Sequence, residues 1–333
     1  HRLYDFAKSA LIKIFVSPYA TVCDLYCGPA ADIDKWEDVH IGHYIGIDET
    51  SSGISEAREV WESDLKPYTA EFCEFDPSVE NLELHLQDKG VPADIVCCLQ
   101  HVQVCFESEE RARSLLQNVS ALLRPGGYFF GITLDSSTIW TKYQKNVEAS
   151  HNRGLKPNAV PNCIRSENYV ITFEVEEEKF PLFGKKCQLK FSDDMASEIH
   201  CLVHFPSLIR LAREAGLEFV EIQNWTEFYD DNRAQLAGIL HSYGPHFVDP
   251  RGKLLIRAFD VLGLYSTFVF QKPDPDIAPP IFSPMLPDGD GMYGEQEWQR
   301  RSEAAVDHPN QEKGILGPGP VDLRLMDPFK GVP

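Results

Sequence analysis

The feature that most constrains the fold is a pair of apolar segments near the amino terminus. Residues 21–32, TVCDLYCGPAAD, begin as a buried strand and break into a turn of small residues. Residues 44–48, YIGID, end in an acid, Asp48, about twenty residues after that strand begins. In a βαβ unit, a tight loop after the first strand lies against a nucleoside, and an acid ending the second accepts its ribose hydroxyls. The pair therefore predicts a parallel α/β fold with a nucleoside site at the strand ends.

The rest of the first half continues the alternation of strand and helix patterns. Further strands are predicted at 70–75, 93–100 and 128–133, and the segment 93–100 is apolar almost throughout, as a central parallel strand should be. We expect a turn at Pro125 and the two glycines after it. The alternation predicts a Rossmann-like, doubly wound, mostly parallel sheet with helices on both faces. The helices of this half are predicted at 2–15, 52–62, 79–87, 108–123 and 136–148.

The second half of the chain is less regular and ends in a segment of different composition. Residues 273–333 hold eleven of the 23 prolines and little apolar periodicity, which predicts a disordered tail. We therefore assign residues 1–272 to one domain. Within it, extended segments are predicted at 169–175, 187–191, 218–224 and 266–271, and helices at 205–215 and 250–262.

The charge balance limits the kind of partner. The chain has 51 acidic and 31 basic side chains and a net charge of −20. A protein that grips long stretches of nucleic-acid backbone needs a basic surface, so this balance excludes that class. It remains compatible with recognition of a single nucleotide or of an RNA end. No apolar run approaches the ~20 residues of a membrane span, so no membrane association is expected.

The cysteines do not indicate a metal site. Nine are present, and neither a pair of CxxC motifs nor a His/Cys set with zinc spacing occurs. We expect them to be reduced thiols of a nuclear or cytosolic protein.

An ordered series of motifs sharpens the functional prediction. The turn at 25–32 lacks the glycine set of a dinucleotide site and looks more like a loop that holds S-adenosylmethionine. Together with the motifs that follow it, the chain resembles the mRNA cap guanine-N7 methyltransferase family over nearly all of residues 1–272, as a divergent member. The resemblance implies a class I S-adenosylmethionine-dependent methyltransferase fold with an inserted cap pocket. The motifs are AKSALI (7–12), CDLYCGPAADIDKW (23–36), LRPGGYFFGITLDSS (123–137), FPLFGKK (180–186), LVHFPSL (202–208), TEFYDD (226–231) and LYSTFVFQK (264–272).

The resemblance implies four residues that bind the methyl donor. Lys8, on the first helix, matches the lysine that reaches the donor carboxylate. Asp48 matches the acid that holds the ribose. Asp76, after the third strand, and Gln100, at the end of the fourth, match residues that line the adenine site. These positions fit a ligand bound at the carboxyl edge of a doubly wound sheet.

The loop after the first strand departs from the family's L-G-C-G-K-G-G-D. Tyr26 stands in place of a glycine at which the backbone approaches the donor, and its side chain is predicted to narrow the pocket. Pro29 removes an amide hydrogen-bond donor. Gly28 and Asp32 are retained, which predicts that the loop still forms. We include Tyr26 and Gly28 among the donor-binding residues.

The cap pocket implied by the resemblance departs further. The family carries a His-Tyr pair after the strand-four glutamine, whereas this chain reads His101 to Cys105 in a stretch one residue shorter. The acid that pairs with the guanine edge falls at His200, with Glu198 close enough to replace it. Tyr265 matches a tyrosine that lines the pocket. The expected cap-binding residues are therefore Cys105, Glu198, His200 and Tyr265.

Three lysines are candidates for a small basic patch facing the cap triphosphate. They are Lys35, Lys185 and Lys186, and the alternative for each is an ordinary solvated lysine. Tyr4 and Asp5 stand where relatives carry asparagines before the first-helix lysine.

The expected reaction is methyl transfer from S-adenosylmethionine to N7 of the terminal guanine of capped mRNA, in the nucleus. Guanine N7 carries a lone pair and no proton, so orientation alone can drive the reaction without a catalytic side chain. The resemblance leaves open a capping-machinery or activating protein partner. Two alternatives also remain: a degenerate methyltransferase domain that acts as a binding or regulatory module, and an S-adenosylmethionine enzyme with a different acceptor.

Overall fold

A computed structural model describes residues 1–64, 66–82, 92–152, 162–174 and 180–277, without the side chains of 149–152. Residues 1–273 belong to one unit, which holds every helix and strand of the described residues. Most of the predicted helix at 79–87 and nearly all of the predicted tail lie outside the described residues, so both stay predictions.

The strands form two sheets. Seven make one sheet in the order β10-β11-β5-β4-β1-β2-β3, and four make a second sheet in the order β6-β7-β8-β9. The strands are β1 (Thr21–Leu25), β2 (His43–Asp48), β3 (Thr69–Glu74), β4 (Ala93–Cys98), β5 (Leu123–Leu134), β6 (Cys163–Arg165), β7 (Tyr169–Thr172), β8 (Lys186–Phe191), β9 (Glu198–Cys201), β10 (Glu218–Asn224) and β11 (Tyr265–Gln271).

The helices cover both faces of the larger sheet. They are α1 (Arg2–Phe15), α2 (Ile33–Asp38), α3 (Ser51–Ser63), α4 (Val102–Cys105), α5 (Glu109–Leu122), α6 (Ser136–Asn152), α7 (Phe205–Glu214), α8 (Trp225–Asp231), α9 (Arg233–Tyr243) and α10 (Ile256–Leu262).

The larger sheet confirms the predicted fold class. Strands β3, β2, β1, β4 and β5 pair in parallel, and β11 pairs antiparallel with both β5 and β10. The register sets Leu25 beside Ile47 and Asp48 beside Glu74. The carboxyl ends of β1, β2 and β3 therefore meet at one edge of the sheet, which is where a doubly wound sheet binds ligands.

Burial on both faces explains the apolar strands. In β1, Val22 packs into the core on one side of the sheet, and Cys23 and Leu25 pack into the core on the other. Helix α1 contributes Leu3, Phe6 and Ala10 to the first core at helical spacing. Because both faces are covered, the strand is buried continuously from Val22 to Leu25 instead of at alternate residues.

Two predicted boundaries are wrong. The predicted turn at Pro125 is a bulge within β5, because Gly126 adopts a φ of 79° and the pairing with β4 shifts register there. At Gly127 a Cβ would lie 2.8 Å from the Asp94 carbonyl oxygen, so the strands approach closely. The predicted helix at 250–262 begins only at Ile256, because the Asp249 carboxylate accepts the Lys253 amide and holds a turn.

Over the described residues, the helices include none that is both long and apolar enough to cross a membrane. The same part of the chain holds no cluster of His, Cys, Asp and Glu suited to a metal ion. All nine cysteines are free thiols, and six of them are buried.

Candidate active site

The loop after β1 turns sharply across the carboxyl edge of the sheet. Tyr26 and Gly28 both have positive φ values, 58° and 54°. Glycine adopts this conformation freely, but a bulky residue does so rarely. A Cβ at Gly28 would have no heavy atom within 4 Å, so the space beside this residue is open. The loop thus combines a strained aromatic residue with an uncrowded backbone.

Asp48, at the end of β2, holds this loop in place. Its Oδ2 accepts the Gly28 amide at 2.9 Å, and its Oδ1 accepts the amide and the hydroxyl of Thr50 at 2.9 and 2.5 Å. The carboxylate is buried, with 6% of the residue exposed. A carboxylate has about four acceptor positions, so one remains for a ligand hydroxyl.

Asp76, after β3, is the centre of a second network. Its Oδ1 accepts the Tyr26 hydroxyl at 2.9 Å and the Ser78 amide and hydroxyl at 2.8 and 2.7 Å. Its Oδ2 accepts an N–H of Arg111 at 2.9 Å. Burial alone would raise the pKa of Asp76, but the bonds from Ser78 and Tyr26 and the charge of Arg111 outweigh it and lower that pKa.

Cys105 completes this network from α4. Its Sγ lies 3.2 Å from the Tyr26 hydroxyl oxygen, and both side chains are buried. We call Tyr26, Gly28, Asp48, Asp76 and Cys105 the strand-end group, because the first four lie at or just after the ends of β1, β2 and β3 and Cys105 contacts Tyr26.

The other predicted site residues line one open cleft. Its volume is about 1020 Å³, and it lies between α1, the end of β4, β9 and α10. Lys8, Gln100, Glu198, His200 and Tyr265 all line it. We call these five residues the cleft group. The structure therefore brings two predicted donor-binding residues and three of the four predicted cap-binding residues to one cavity. The fourth, Cys105, is buried beside Tyr26 and does not line the cleft.

Lys8 enters the cleft from α1 as part of a buried ion pair. Its Nζ lies 2.8 Å from Asp32 Oδ2, and only 3% of the residue is exposed. The other oxygen of Asp32 accepts from Lys35 Nζ at 2.7 Å. Asp32 thus joins α1 to the loop after β1 and shares its charge between two lysines, so the Lys8 ammonium can still attract a ligand carboxylate.

His200 and Glu198 form a polar pair on β9. The two side chains approach to 3.2 Å between His200 Nε2 and Glu198 Oε2. Nε2 is buried yet makes no well-directed hydrogen bond, and Nδ1 lies 3.4 Å from the Gln103 amide nitrogen. Burial lowers the pKa of His200, although Glu198 pulls in the opposite direction. If the Gln103 amide donates to Nδ1, the neutral imidazole carries its proton on Nε2.

Tyr265 packs against Tyr4, which the sequence did not identify as a site residue. The ring centroids are 5.1 Å apart in an edge-to-face contact, and the Tyr4 hydroxyl donates to the Leu99 carbonyl at 2.7 Å. Tyr4 lies one helical turn before Lys8, so the i, i+4 spacing on α1 was the available signal. No local pattern pointed to Arg111 or Gln103, because their partners come from other elements.

The three candidate lysines do not form a basic patch. Lys35 is paired with Asp32, and the Lys186 ammonium lies 2.6 Å from Glu107 Oε1. Lys185 is 4% exposed and lies 4.6 Å from the centroid of the Phe180 ring. Two of these lysines are paired with acids and the third is buried, so they do not present an exposed positive surface.

Comparisons with known proteins identify the family of this chain. The family described as mRNA (guanine-N(7))-methyltransferase domain matches residues 1–272. The chain is 66% identical over 336 residues to "mRNA cap guanine-N(7) methyltransferase 2" of Oryza sativa subsp. japonica, covering 98% of both chains. It is 64% identical to the protein of the same name from Arabidopsis thaliana, covering 98% of this chain and 96% of that one.

A solved structure, the CcbJ methyltransferase from Streptomyces caelestis, aligns with a TM-score of 0.47 and 11% identity over 81% of this chain and 89% of that chain. That score is too low to support an argument. The family match and the two plant relatives are sufficient by themselves: the chain belongs to the mRNA (guanine-N(7))-methyltransferase family.

Proposed function

We propose that this chain transfers the methyl group of S-adenosylmethionine to N7 of the terminal guanine of the mRNA 5′ cap. The observation that carries the proposal is the shared cleft. Lys8, a cation suited to the carboxylate of the methyl donor, lines the same cavity as Glu198, His200 and Tyr265. A transfer reaction requires that its two substrates meet in one cavity, and family membership over residues 1–272 identifies them.

The strand-end residues fit the adenosyl part of the methyl donor. The space beside Gly28 is open, and Asp48 keeps a free acceptor position for a ribose hydroxyl. Asp76 and Gln100 flank the expected adenine position at the ends of β3 and β4. Lys8 attracts the carboxylate at the other end of the donor. S-adenosylmethionine supplies an activated methyl group on a sulfonium, and these residues serve to hold and orient it.

The polar pair on β9 suits the Watson–Crick edge of guanine. Guanine presents one acceptor, O6, beside two donors, N1–H and the exocyclic amino group. The exposed Glu198 carboxylate supplies an acceptor for these two donors, and the buried His200 Nε2 lies 3.2 Å behind it. Adenine presents an acceptor, N1, where guanine presents N1–H, and a base that leaves such groups unpaired is penalised. Tyr265 contributes an aromatic surface against which the base can pack.

The reaction needs no proton transfer. The N7 lone pair attacks the methyl carbon as the carbon–sulfur bond breaks, and the positive charge passes from sulfur to the guanine ring. No general base is required, because N7 carries no proton. The residues of the cleft act by orientation, which can lower a barrier by ~7–11 kcal/mol. We therefore assign no catalytic side chain.

A transfer assay tests this proposal. Purified protein is incubated with methyl-labelled S-adenosylmethionine and RNA that ends in GpppA, in GpppG or in an uncapped triphosphate. We expect the label in the two capped RNAs and not in the uncapped one. Nuclease digestion should release it as 7-methylguanosine. Transfer to uncapped RNA or to another class of molecule would overturn the proposed acceptor. Binding of S-adenosylhomocysteine without any transfer would indicate a binding or regulatory module instead.

We also place this activity in the nucleus, where capped transcripts are made, and expect a partner from the capping machinery. A fluorescent fusion of the full chain should accumulate in nuclei. Affinity capture of the same fusion from nuclear extract should retain capping proteins, and their absence would argue for an enzyme that acts alone.

A further inference from the structure

The smaller sheet has one covered face and one open face. The covered face packs into the core through Ile164, Tyr169, Ile171, Cys187 and Leu189. Residues that lie directly opposite each other on neighbouring strands share a face, so the strand pairing defines two rows on the open side. They are Cys163, Thr172, Gln188 and Ile199 in one row, and Arg165, Val170 and Lys190 in the other. None of these seven residues is buried, and we call them the outward face.

The outward face carries positive charge on an acidic protein. Arg165 and Lys190 are both exposed and stand at the two ends of one row, with Val170 between them. Within the described part of the chain, neither side chain forms a hydrogen bond or an ion pair. None of the seven residues is acidic, although acidic side chains outnumber basic ones by 51 to 31 over the whole chain. A local cluster of free cations on such a protein favours an anionic partner.

The first acid after each of these cations faces another element. Glu167, in the turn after Arg165, lines a separate small cavity against α10. Asp193, which follows Lys190, pairs with Arg257 of α10. The charge of the outward face is therefore not neutralised by the acids that lie beside it in the sequence.

The outward face adjoins the cleft along β9, the edge strand of the smaller sheet. Ile199 belongs to the outward face and also lines the cleft, and 62% of it is exposed. Its neighbours Glu198 and His200 line the cleft as well. A chain that leaves the cleft at Ile199 therefore passes over the edge of the sheet onto the outward face. From β9 to β6 this face extends over three strand spacings, roughly 14 Å.

We propose that the outward face binds the RNA chain that follows the cap. The terminal guanine enters the cleft, the chain crosses β9 over Ile199, and Lys190 and Arg165 pair with backbone phosphates beyond the cap triphosphate. The inference rests on the proposed function, because it takes capped RNA as the acceptor. Two phosphate contacts hold a short stretch of RNA and do not require the broad basic surface of a protein that grips a long one.

A comparison of a long acceptor with a short one tests the inference. The double variant Arg165→Gln/Lys190→Gln should raise the KM for a capped RNA of about ten nucleotides by about threefold or more. The KM for the dinucleotide GpppG should stay at the parent value, because this acceptor ends before the outward face. The matched control, Lys13→Gln/Arg213→Gln, removes one lysine and one arginine from exposed helical positions that do not line the cleft, and should behave like the parent.

The salt dependence of binding measures the phosphate contacts directly. Fluorescence anisotropy gives the Kd of a labelled capped RNA at several salt concentrations. Loss of two contacts should reduce the steepness of log affinity against log salt by about 1.4, because each contact with a single strand contributes about 0.7. The melting temperatures of both double variants should match that of the parent, since all four residues are exposed.

Three results would overturn the inference. Unchanged KM and salt dependence in the double variant would mean that RNA does not use the outward face, and would favour an acidic protein segment as its occupant. An equal rise in the KM for GpppG would assign the two cations to the cap itself. An equal rise in the control would reduce the effect to overall charge.

Failure of the inference and failure of the proposed function give different results. A parent that binds capped RNA with the expected salt dependence but methylates no cap contradicts the proposed function alone. A parent that methylates caps, and whose double variant has the same KM for the long RNA, contradicts the assignment of the outward face alone.

Discussion

The strand-end group and the cleft group differ in how many of their polar atoms are hydrogen-bonded within the protein. Asp48 and Asp76 together accept seven hydrogen bonds, all from nearby protein groups. In the cleft group, by contrast, the Glu198 side chain is 65% exposed and Nε2 of His200 makes no well-directed hydrogen bond. The strand-end group is built before any ligand arrives, whereas the Glu198 carboxylate is left exposed to a ligand.

This difference follows from where the two groups lie. The strand-end residues leave a parallel sheet covered on both faces, and the pairing of β1, β2 and β3 fixes their backbone. Glu198 and His200 lie on β9, the edge strand of a four-stranded sheet. A prebuilt site favours binding of one common cofactor, and an incomplete edge favours selection among bases, because a wrong base leaves buried groups unpaired.

The largest effect is expected from Asp48→Ala. The substitution removes the acceptor for the ribose and also releases Gly28 and Thr50. Loss of two charge-assisted bonds corresponds to a reduction on the order of 100-fold in affinity for S-adenosylhomocysteine by calorimetry. The control is Glu49→Ala, an exposed acid one residue later that should bind like the parent. Unchanged binding in Asp48→Ala would contradict the assignment of the strand-end group.

A smaller and more selective effect is expected from Glu198→Ala. Removal of the acceptor for the guanine edge costs about 1–3 kcal/mol, which corresponds to a rise of about fivefold to a hundredfold in the KM for capped RNA. Affinity for S-adenosylhomocysteine should not change, because Glu198 belongs to the other group. Glu218→Ala, an exposed acid on β10, is the matched control. If Glu198→Ala weakened binding of S-adenosylhomocysteine as much as binding of capped RNA, the distinction between the two groups would be lost.

The buried carboxyl group of Asp24 predicts that the stability of the protein depends on pH. Asp24, on β1, accepts from Tyr44 and Cys97, and burial raises its pKa from 3.8 to about 7. The folded protein therefore holds a proton that the unfolded chain has lost between these pH values, so stability falls as pH rises from about 4 to 7 and stays low above it.

Asp24→Asn removes that dependence. The melting temperature of the variant minus that of the parent should increase from pH 5 to about pH 7 and then level off, because only the parent must ionise a buried carboxyl. A constant difference across this range would show that Asp24 has an ordinary pKa. Thermal unfolding suits this test, because it requires neither substrate.

The smallest effect is expected from Lys186→Gln. Its ammonium is paired with Glu107 on an exposed surface, and pairs of this kind contribute little. The KM for capped RNA should change by about twofold or less, a difference well below that of Glu198→Ala. A larger rise in the KM would mean that Lys186 acts on capped RNA, as the basic patch considered from the sequence requires. A third region would then join the strand-end group and the cleft group. The partner variant Glu107→Gln separates loss of the pair from loss of the lysine charge.

The strands and the strand-end residues were predictable because their signals are local. Apolar runs and the acids after them identified β1, β2 and β3, and parallel strands bring their carboxyl ends together without further information. The elements α2, α4, α8, α9, β6 and β9 were not predicted, since most are short and their few apolar positions do not establish a period. The bulge in β5 was predicted as a turn, because Pro125 and the glycines signal both.

The amino-acid sequence by itself determined the parallel α/β architecture, the family and the positions at which ligands must approach, since periodicity and strand-end chemistry act over a few residues. Only the tertiary structure decided the partners: Lys8 with Asp32, His200 with Glu198, and Tyr26 with Cys105 and Asp76. Most of these contacts join residues on different strands, helices or loops, and His200 and Glu198 lie two residues apart on β9. All of them depend on register and packing. Register and packing are properties of the assembled fold, which no local pattern encodes.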